Sequence, residues 1–279
     1  MRVVHAAPIA IALSAAACAR VGMVDDGSSV AYGWAYAGSL RNGVQLPPEG
    51  DGYRVPRRWI RRGNQYGTDE LVAMIQRVGR RVHRETGAVV GVADLSPRRG
   101  GRTPWHRSHQ SGRDVDLLMF GVDRRGRPLP ADAMVRYRAD GSSRPVDSHG
   151  VRHSRRYFDA ARNWALVRAI IEDPGVDVEF IYVYPPLEER LLAYARQAGE
   201  PPERIERAAA LLQPPVDSSP HDDHFHVRIF CPASDLTYGC IDSAERPETR
   251  LWVAYARRAL AALARAVAAA VEAATVAPI

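Results

Sequence analysis

Lysine is absent. All 38 basic residues of the 279-residue chain are arginine, set against 32 acidic residues for a net charge of +6. Guanidinium is the preferred fork for phosphate, but these arginines are spread along the chain with acidic residues between them and without an interleaved aromatic stripe. Uniform use of arginine therefore reads as genomic base composition, and no nucleic-acid partner is expected. The moderate positive charge suits a polyanionic surface such as a cell wall. No uninterrupted apolar run approaches the ~18 residues of a membrane span, which excludes a polytopic membrane protein. There is no internal repeat, and with 46% hydrophobic, 25% charged and 8% aromatic residues the chain is neither disordered, collagen-like nor coiled-coil.

Cysteine is scarce, with three in the chain. Cys18 ends an N-terminal segment in which Met1-Arg2 is followed by twelve mostly small and apolar residues, Ala6 to Ala17. That pattern predicts an export signal over residues 1–18. A cysteine directly after small residues also resembles a bacterial lipoprotein cleavage site, where the acylated thiol would anchor the mature protein in the outer membrane. A periplasmic or outer-membrane-anchored location is expected in either case. Export makes the other two cysteines interpretable: Cys231 and Cys240 are expected to pair in an oxidising compartment. Closing a loop of about ten residues contributes roughly 2.7 kcal/mol on the chain-entropy model.

The periodicity predicts an α+β domain over about residues 25–245, an antiparallel sheet flanked by helices, followed by an Ala-rich helical tail at 247–279. Residues 21–67 read as an irregular lead-in. Thr68 caps a helix whose Leu71, Ile75, Val78 and Val82 share one face and which Gly87 closes. A β-branched run spans Ala88 to Leu95, and a second helix spans Asp159 to Glu172 with Trp164, Val167 and Ile171 inward. Val176 to Tyr184 alternates as a strand, and two helices follow at about Leu187 to Ala198 and Pro201 to Leu212.

Five of the nine histidines fall in two short segments, Trp105 to Asp116 and His221 to His226. Each segment leads into an apolar strand-like run, Leu117 to Phe120 and Val227 to Phe230. Alternate side chains of a strand share a face, so Asp114 goes with Asp116 and His224 with His226. Two neighbouring strands would then present a carboxylate and an imidazole to one point, and His109, entering the first strand through a tight turn at Gly112, completes a set of three. Two imidazoles and a carboxylate with one open position is the composition of catalytic zinc. A His-Glu-x-x-His helix is absent, and Asp222 or Asp223 could orient His221 or His224. His5, His83, His149 and His153 read as isolated surface histidines.

His-x-x-Gly-x-Asp-x-Asp at His109 to Asp116, paired with His-Asp-Asp-His-Phe-His at His221 to His226, resembles the penicillin-insensitive murein endopeptidases. These are zinc peptidases related to lysostaphin-type and D-Ala-D-Ala metallopeptidases. Weaker matches run from Gly38-Ser39-Leu40 through Asp94 and Arg162-Asn163-Trp164 to Cys231-Pro232. The resemblance implies that His109, Asp116 and His226 are zinc ligands and His224 the catalytic histidine. His221 is assigned beside it to catalysis and His106 to the metal site. Asp140, Asp147 and His149 are the candidates for further metal-site residues. The implied activity is cleavage of D-alanyl to meso-diaminopimelyl cross-links between peptidoglycan stem peptides. A D,D-carboxypeptidase, a dipeptidase, or an inactive zinc-stabilised binding module would keep much of the same pattern.

Overall fold

Thr68 and Gly87 bracket the first long helix, as their chemistry dictates. In the computed structural model, which describes residues 26–215 and 219–246, helix α1 runs Asp69–Thr86. The Thr68 hydroxyl accepts from the Leu71 amide at 3.3 Å, and Gly87 ends the helix at φ 69°. A side-chain cap of this kind is worth about 1 kcal/mol. Leu71, Ile75, Val78 and Val82 are all buried. Helix α2, Ala160–Ile171, is capped by the Asp159 side chain and buries Trp164, Val167 and Ile171. Helices α3, Pro185–Gln197, and α4, Pro202–Leu211, each have proline in the first turn, where its missing N–H costs no helical hydrogen bond. The proposed signal with Cys18 and the Ala-rich tail at 247–279 lie outside the described residues. Among the described residues, no helix is long and apolar enough to cross a membrane.

The strands that matter here are β1 (Val30–Trp34), β2 (Ala37–Arg41), β3 (Asp114–Leu118), β4 (Val178–Tyr182), β5 (Leu212–Gln213) and β6 (His224–Ile229). The central sheet has the order β5-β4-β6-β3. Its β4–β6 and β6–β3 pairs are antiparallel, whereas β4–β5 is parallel, because α3 and α4 carry the chain across and return it in the same direction. The lead-in is more regular than its composition predicts: β1 and β2 form a hairpin around the turn Ala35-Tyr36. Its glycines obscure the alternation of a strand. The β-branched run is shorter than expected, a strand only at Val90–Gly91 with a single bridge from Val92 to Leu117. Beyond that it meets β3 through single bonds, Ala93 N donating to Asp116 O at 2.8 Å and Asp116 N to Asp94 O at 2.9 Å.

Alternation then divides the central sheet into two chemistries. Val115, Leu117, Phe225 and Val227 enter the apolar core, while Asp114, Asp116, His226 and Arg228 occupy the opposite face. Asn163 of α2 fixes the end of this layer, its Oδ1 accepting from Phe120 N at 2.9 Å and its Nδ2 donating to Phe120 O at 2.8 Å. Cys231 and Cys240 are joined in a disulfide. By contacts the chain forms two units, Met1–Ile241 and Asp242–Ile279. The helices and strands described above belong to the first; in the second, Arg246 Nε donates to Asp242 Oδ2 at 2.8 Å.

Candidate metal centre

The register of the β3–β6 pair sets His226 directly across from Asp116 and Arg228 across from Asp114. His109 reaches the same point from the turn before β3. Its backbone has φ +63°, in the left-handed region that a side chain occupies only at a cost of about 1–2 kcal/mol. The turn is held by the His109 amide, which donates to Asp114 Oδ2 at 3.1 Å, and by Gly112 at φ +79°, where a Cβ would meet Leu40 Cδ1 at 2.7 Å. His221 is the other site histidine with positive φ, +54°. Strain of this kind collects where a side chain must be aimed.

Three atoms converge: His109 Nε2 lies 3.2 Å from Asp116 Oδ1 and 3.2 Å from His226 Nδ1, and His226 Nδ1 lies 3.1 Å from Asp116 Oδ1. The hydrogen bonds behind them decide what those atoms are. His109 Nδ1 sits 2.9 Å from the Leu95 carbonyl, which can only accept, so the proton is on Nδ1 and the Nε2 lone pair faces inward. His226 Nε2 sits 2.9 Å from Asp114 Oδ1, so it donates there and turns the Nδ1 lone pair inward. Burial opposes ionisation of Asp114, but the Arg228 guanidinium, 2.6 Å away, with His226 and His109 holds the carboxyl well below its usual range. Asp116 is likewise buried and likewise held ionised, by His109, His224 and His106. With the outer nitrogens so engaged, a bound cation would find the two inward nitrogen lone pairs beside the Asp116 carboxylate oxygen.

That arrangement fits a cation. The 3.1–3.2 Å separations are close to the edge of about 3.3–3.4 Å of a tetrahedron with ~2.0–2.1 Å metal–ligand bonds. Asp116 Oδ2 is buried without a hydrogen-bond partner, an unsatisfied acceptor that a metal ion would satisfy. Residues that could hold it are His109, Asp116 and His226, with Asp114 fixing two of them from behind. Replacing Asp114 by asparagine is expected to weaken metal retention about 10–100-fold while leaving the fold intact. Competition against a colorimetric chelator measures it, and unchanged affinity would show that the carboxylate does not orient its neighbours.

The other histidines sit around this centre. His224 Nε2 is 3.4 Å from Asp116 Oδ1, and its Nδ1 is 2.5 Å from Asp223 Oδ1. Asp223 also accepts from the Ser148 hydroxyl. Burial disfavours charge on His224, but Asp116 and Asp223 outweigh it and raise its pKa well above the ordinary value. His221 is pushed the other way, to about 3, by burial and by His224 and His226. Its Nδ1 contacts Ser219 O at 2.7 Å, and its ring lies 4.8 Å from that of His224. His106 Nε2 is 2.9 Å from Asp94 Oδ2 and 3.8 Å from Asp116 Oδ2, closer to the neighbouring carboxylate than to the centre.

Of the two aspartates expected to orient a histidine, Asp223 does so for His224, while Asp222 faces Arg136 and Arg144. Among the described residues, two groups of three possible metal-ligand side chains overlap this centre: His106, His109 and Asp116, and His221, His224 and His226. Asp140, Asp147 and His149 are not in them. Asp140 and Asp147 turn their Oδ1 atoms to backbone amides, of Ser142 and of His149 and Val151. His149 is no isolated surface group either. Its Nε2 accepts from Arg62 Nη2 at 2.9 Å, and burial with Arg58 and Arg62 lowers its pKa. Arg62 also donates to Asp94 at 2.5 Å. Reasoning from the sequence named Asp94 only as a weak match and missed Arg62, neither of which carries a spacing signal; it set Asp114 on the Asp116 face without giving it a role, and Arg228 could have been found from the same alternation.

Similarity to known proteins agrees with this geometry. The family model described as penicillin-insensitive murein endopeptidase matches residues 31–250. The penicillin-insensitive murein endopeptidase of Haemophilus influenzae is 29% identical over 225 residues, 80% of this chain and 70% of that protein. That of Salmonella arizonae is 30% identical over 211 residues, 71% of this chain and 67% of that protein. That of Klebsiella pneumoniae is 28% identical over 225 residues, 79% and 73% respectively. With the match spanning both histidine segments and the sheet that joins them, this chain belongs to the penicillin-insensitive murein endopeptidase family.

Proposed function

We propose that the chain is a zinc-dependent endopeptidase that cuts D-alanyl to meso-diaminopimelyl cross-links of peptidoglycan. The observation that carries the reading is the convergence of His109 Nε2, His226 Nδ1 and Asp116 Oδ1 at 3.1–3.2 Å, with the outer nitrogens of both imidazoles bonded to the Leu95 carbonyl and Asp114. Zinc, when bound, supplies Lewis-acid polarisation of a carbonyl and acidifies water. His109, Asp116 and His226 would hold the metal, with Asp114 keeping the His226 imidazole, and the Leu95 carbonyl that of His109, in the required tautomer. With a cation on Asp116 offsetting the charge that raises its pKa, His224 can handle protons at Nε2, taking one from the attacking water and delivering it to the departing amine nitrogen, while Nδ1–H stays on Asp223. Neutral His221 stands beside it as a second imidazole, and His106 lines the metal site from the Asp94 side. The signal at 1–18, a peptidase domain over 25–245 and the tail at 247–279 describe an exported enzyme, periplasmic or anchored through Cys18.

Digestion of purified sacculi tests the reading. Cross-linked dimers are expected to fall and monomeric stems to rise by mass, with free amine appearing on diaminopimelate. Release of terminal alanine alone would make the protein a carboxypeptidase. Saturating penicillin is expected to leave the rate unchanged, because β-lactams acylate a serine and the chain has no Ser-x-x-Lys. A stable penicilloyl-serine adduct would contradict this.

A further inference from the structure

The β1–β2 hairpin displays aromatic rings that no part of the candidate metal centre uses. Tyr36, at its tip, is 52% exposed, and its ring lies 5.6 Å from that of Trp34 with planes 19° apart. At the other end of the strand Tyr32 meets Tyr238, 59% exposed, at 6.5 Å. Trp34 and Tyr32 are half-buried beside these exposed tyrosines, and exposed aromatics of this size mark a contact surface. The backbone beneath them is fixed. Gly33 N donates to Gly239 O at 2.9 Å, Ile241 N donates to Gly33 O at 3.0 Å, and the buried Asp235 carboxylate accepts from Ala31 N at 2.7 Å. The Cys231–Cys240 disulfide packs with Ala31 as a small core of its own. Rings held this way lose little freedom on binding.

The hairpin is tied to the segment that carries His109. Gln110, next to His109, donates from its backbone to Ala35 O at 3.0 Å and from Nε2 to Tyr36 O at 2.8 Å and Arg107 O at 2.9 Å. Whatever lies on the hairpin therefore lies beside the chain segment that leads into the site. A pyranose ring has one face of C–H bonds, weakly positive, and a rim of hydroxyls. Tyrosine and tryptophan answer both, with an electron-rich face and a polar edge.

We propose that the hairpin is a docking platform for the glycan strand of peptidoglycan, Trp34 and Tyr36 stacking on its sugar rings while the stem peptide enters the metal centre. The proposal rests on the peptidoglycan reading above. A second contact on an insoluble polymer raises the local concentration of the bond to be cut. The test uses immobilised glycan strands from which the stem peptides have been removed, so that capture does not depend on a cleavable bond. Wild-type protein is expected to bind them, Trp34→Ala and Tyr36→Ala to bind about tenfold more weakly, and Trp34→Phe to recover most of the loss, with thermal unfolding confirming that each variant is folded. Equal capture of folded wild type and variants, or none by wild type, overturns the proposal. So does a wild-type dimer in sedimentation that Trp34→Ala dissolves without effect on glycan capture, which would give the face to a second copy of the chain. Cleavage of a sugar-free cross-linked peptide dimer, measured in parallel on wild type, reports on the peptidase reading separately.

Discussion

His224→Ala is expected to keep its metal and its fold while kcat falls about 10²–10⁴-fold, the range for a lost proton-transfer group. His226→Ala, two residues along the same strand, is expected to lose the metal and with it all activity. The asymmetry follows from what each imidazole spends its second nitrogen on. His226 gives Nε2 to Asp114 and turns Nδ1 into the converging set at 3.1–3.2 Å. His224 gives Nδ1 to Asp223 at 2.5 Å and presents Nε2 beside that set, 3.4 Å from Asp116 Oδ1. Removing the first takes away a ligand; removing the second takes away a proton carrier. Metal content and dimer cleavage, measured on both variants, decide it. If His224→Ala sheds the metal, or cleaves at the wild-type rate, the roles are misassigned. KM is expected to change far less than kcat.

Asp116→Ala and His109→Ala are expected to reduce bound metal below detection and cleavage to background, whereas His149→Ala retains both. Asp116 is the hub: its Oδ1 faces three imidazoles within 3.4 Å, and it is fully buried. Its loss leaves His109 and His226 with lone pairs facing each other and no anion to hold a cation between them. His109 is the ligand whose orientation depends most on the backbone, through its left-handed φ and the Leu95 carbonyl. His149 meets Arg62 instead and takes no part in that set. Loss of metal in His149→Ala equal to that in Asp116→Ala would mean that the Arg62–Asp94 bridge, and not the local ligand geometry, governs the centre.

Much of this was legible because strand alternation is a local rule. Asp114 with Asp116, and His224 with His226, could be assigned to shared faces from their spacing alone, and the β3–β6 register then sets His226 across from Asp116. Helices α1 and α2 were legible for the same reason, their caps and apolar faces being written within one segment. What was not legible depends on partners distant in sequence. Asp94 acquires its role from Arg62 and His106, 32 and 12 residues away. The β1–β2 hairpin is sustained by Gly239 and Asp235 rather than by any strong alternation of its own. The parallel edge of the sheet depends on how α3 and α4 pack, which periodicity does not encode.

The most direct measurement is a zinc titration of chelator-stripped protein, read by cleavage of a purified cross-linked muropeptide dimer. The account predicts no cleavage without metal and a linear rise that breaks at about one equivalent, the stoichiometry of a single three-ligand centre with one open position. Full cleavage by protein shown to be metal-free would contradict it.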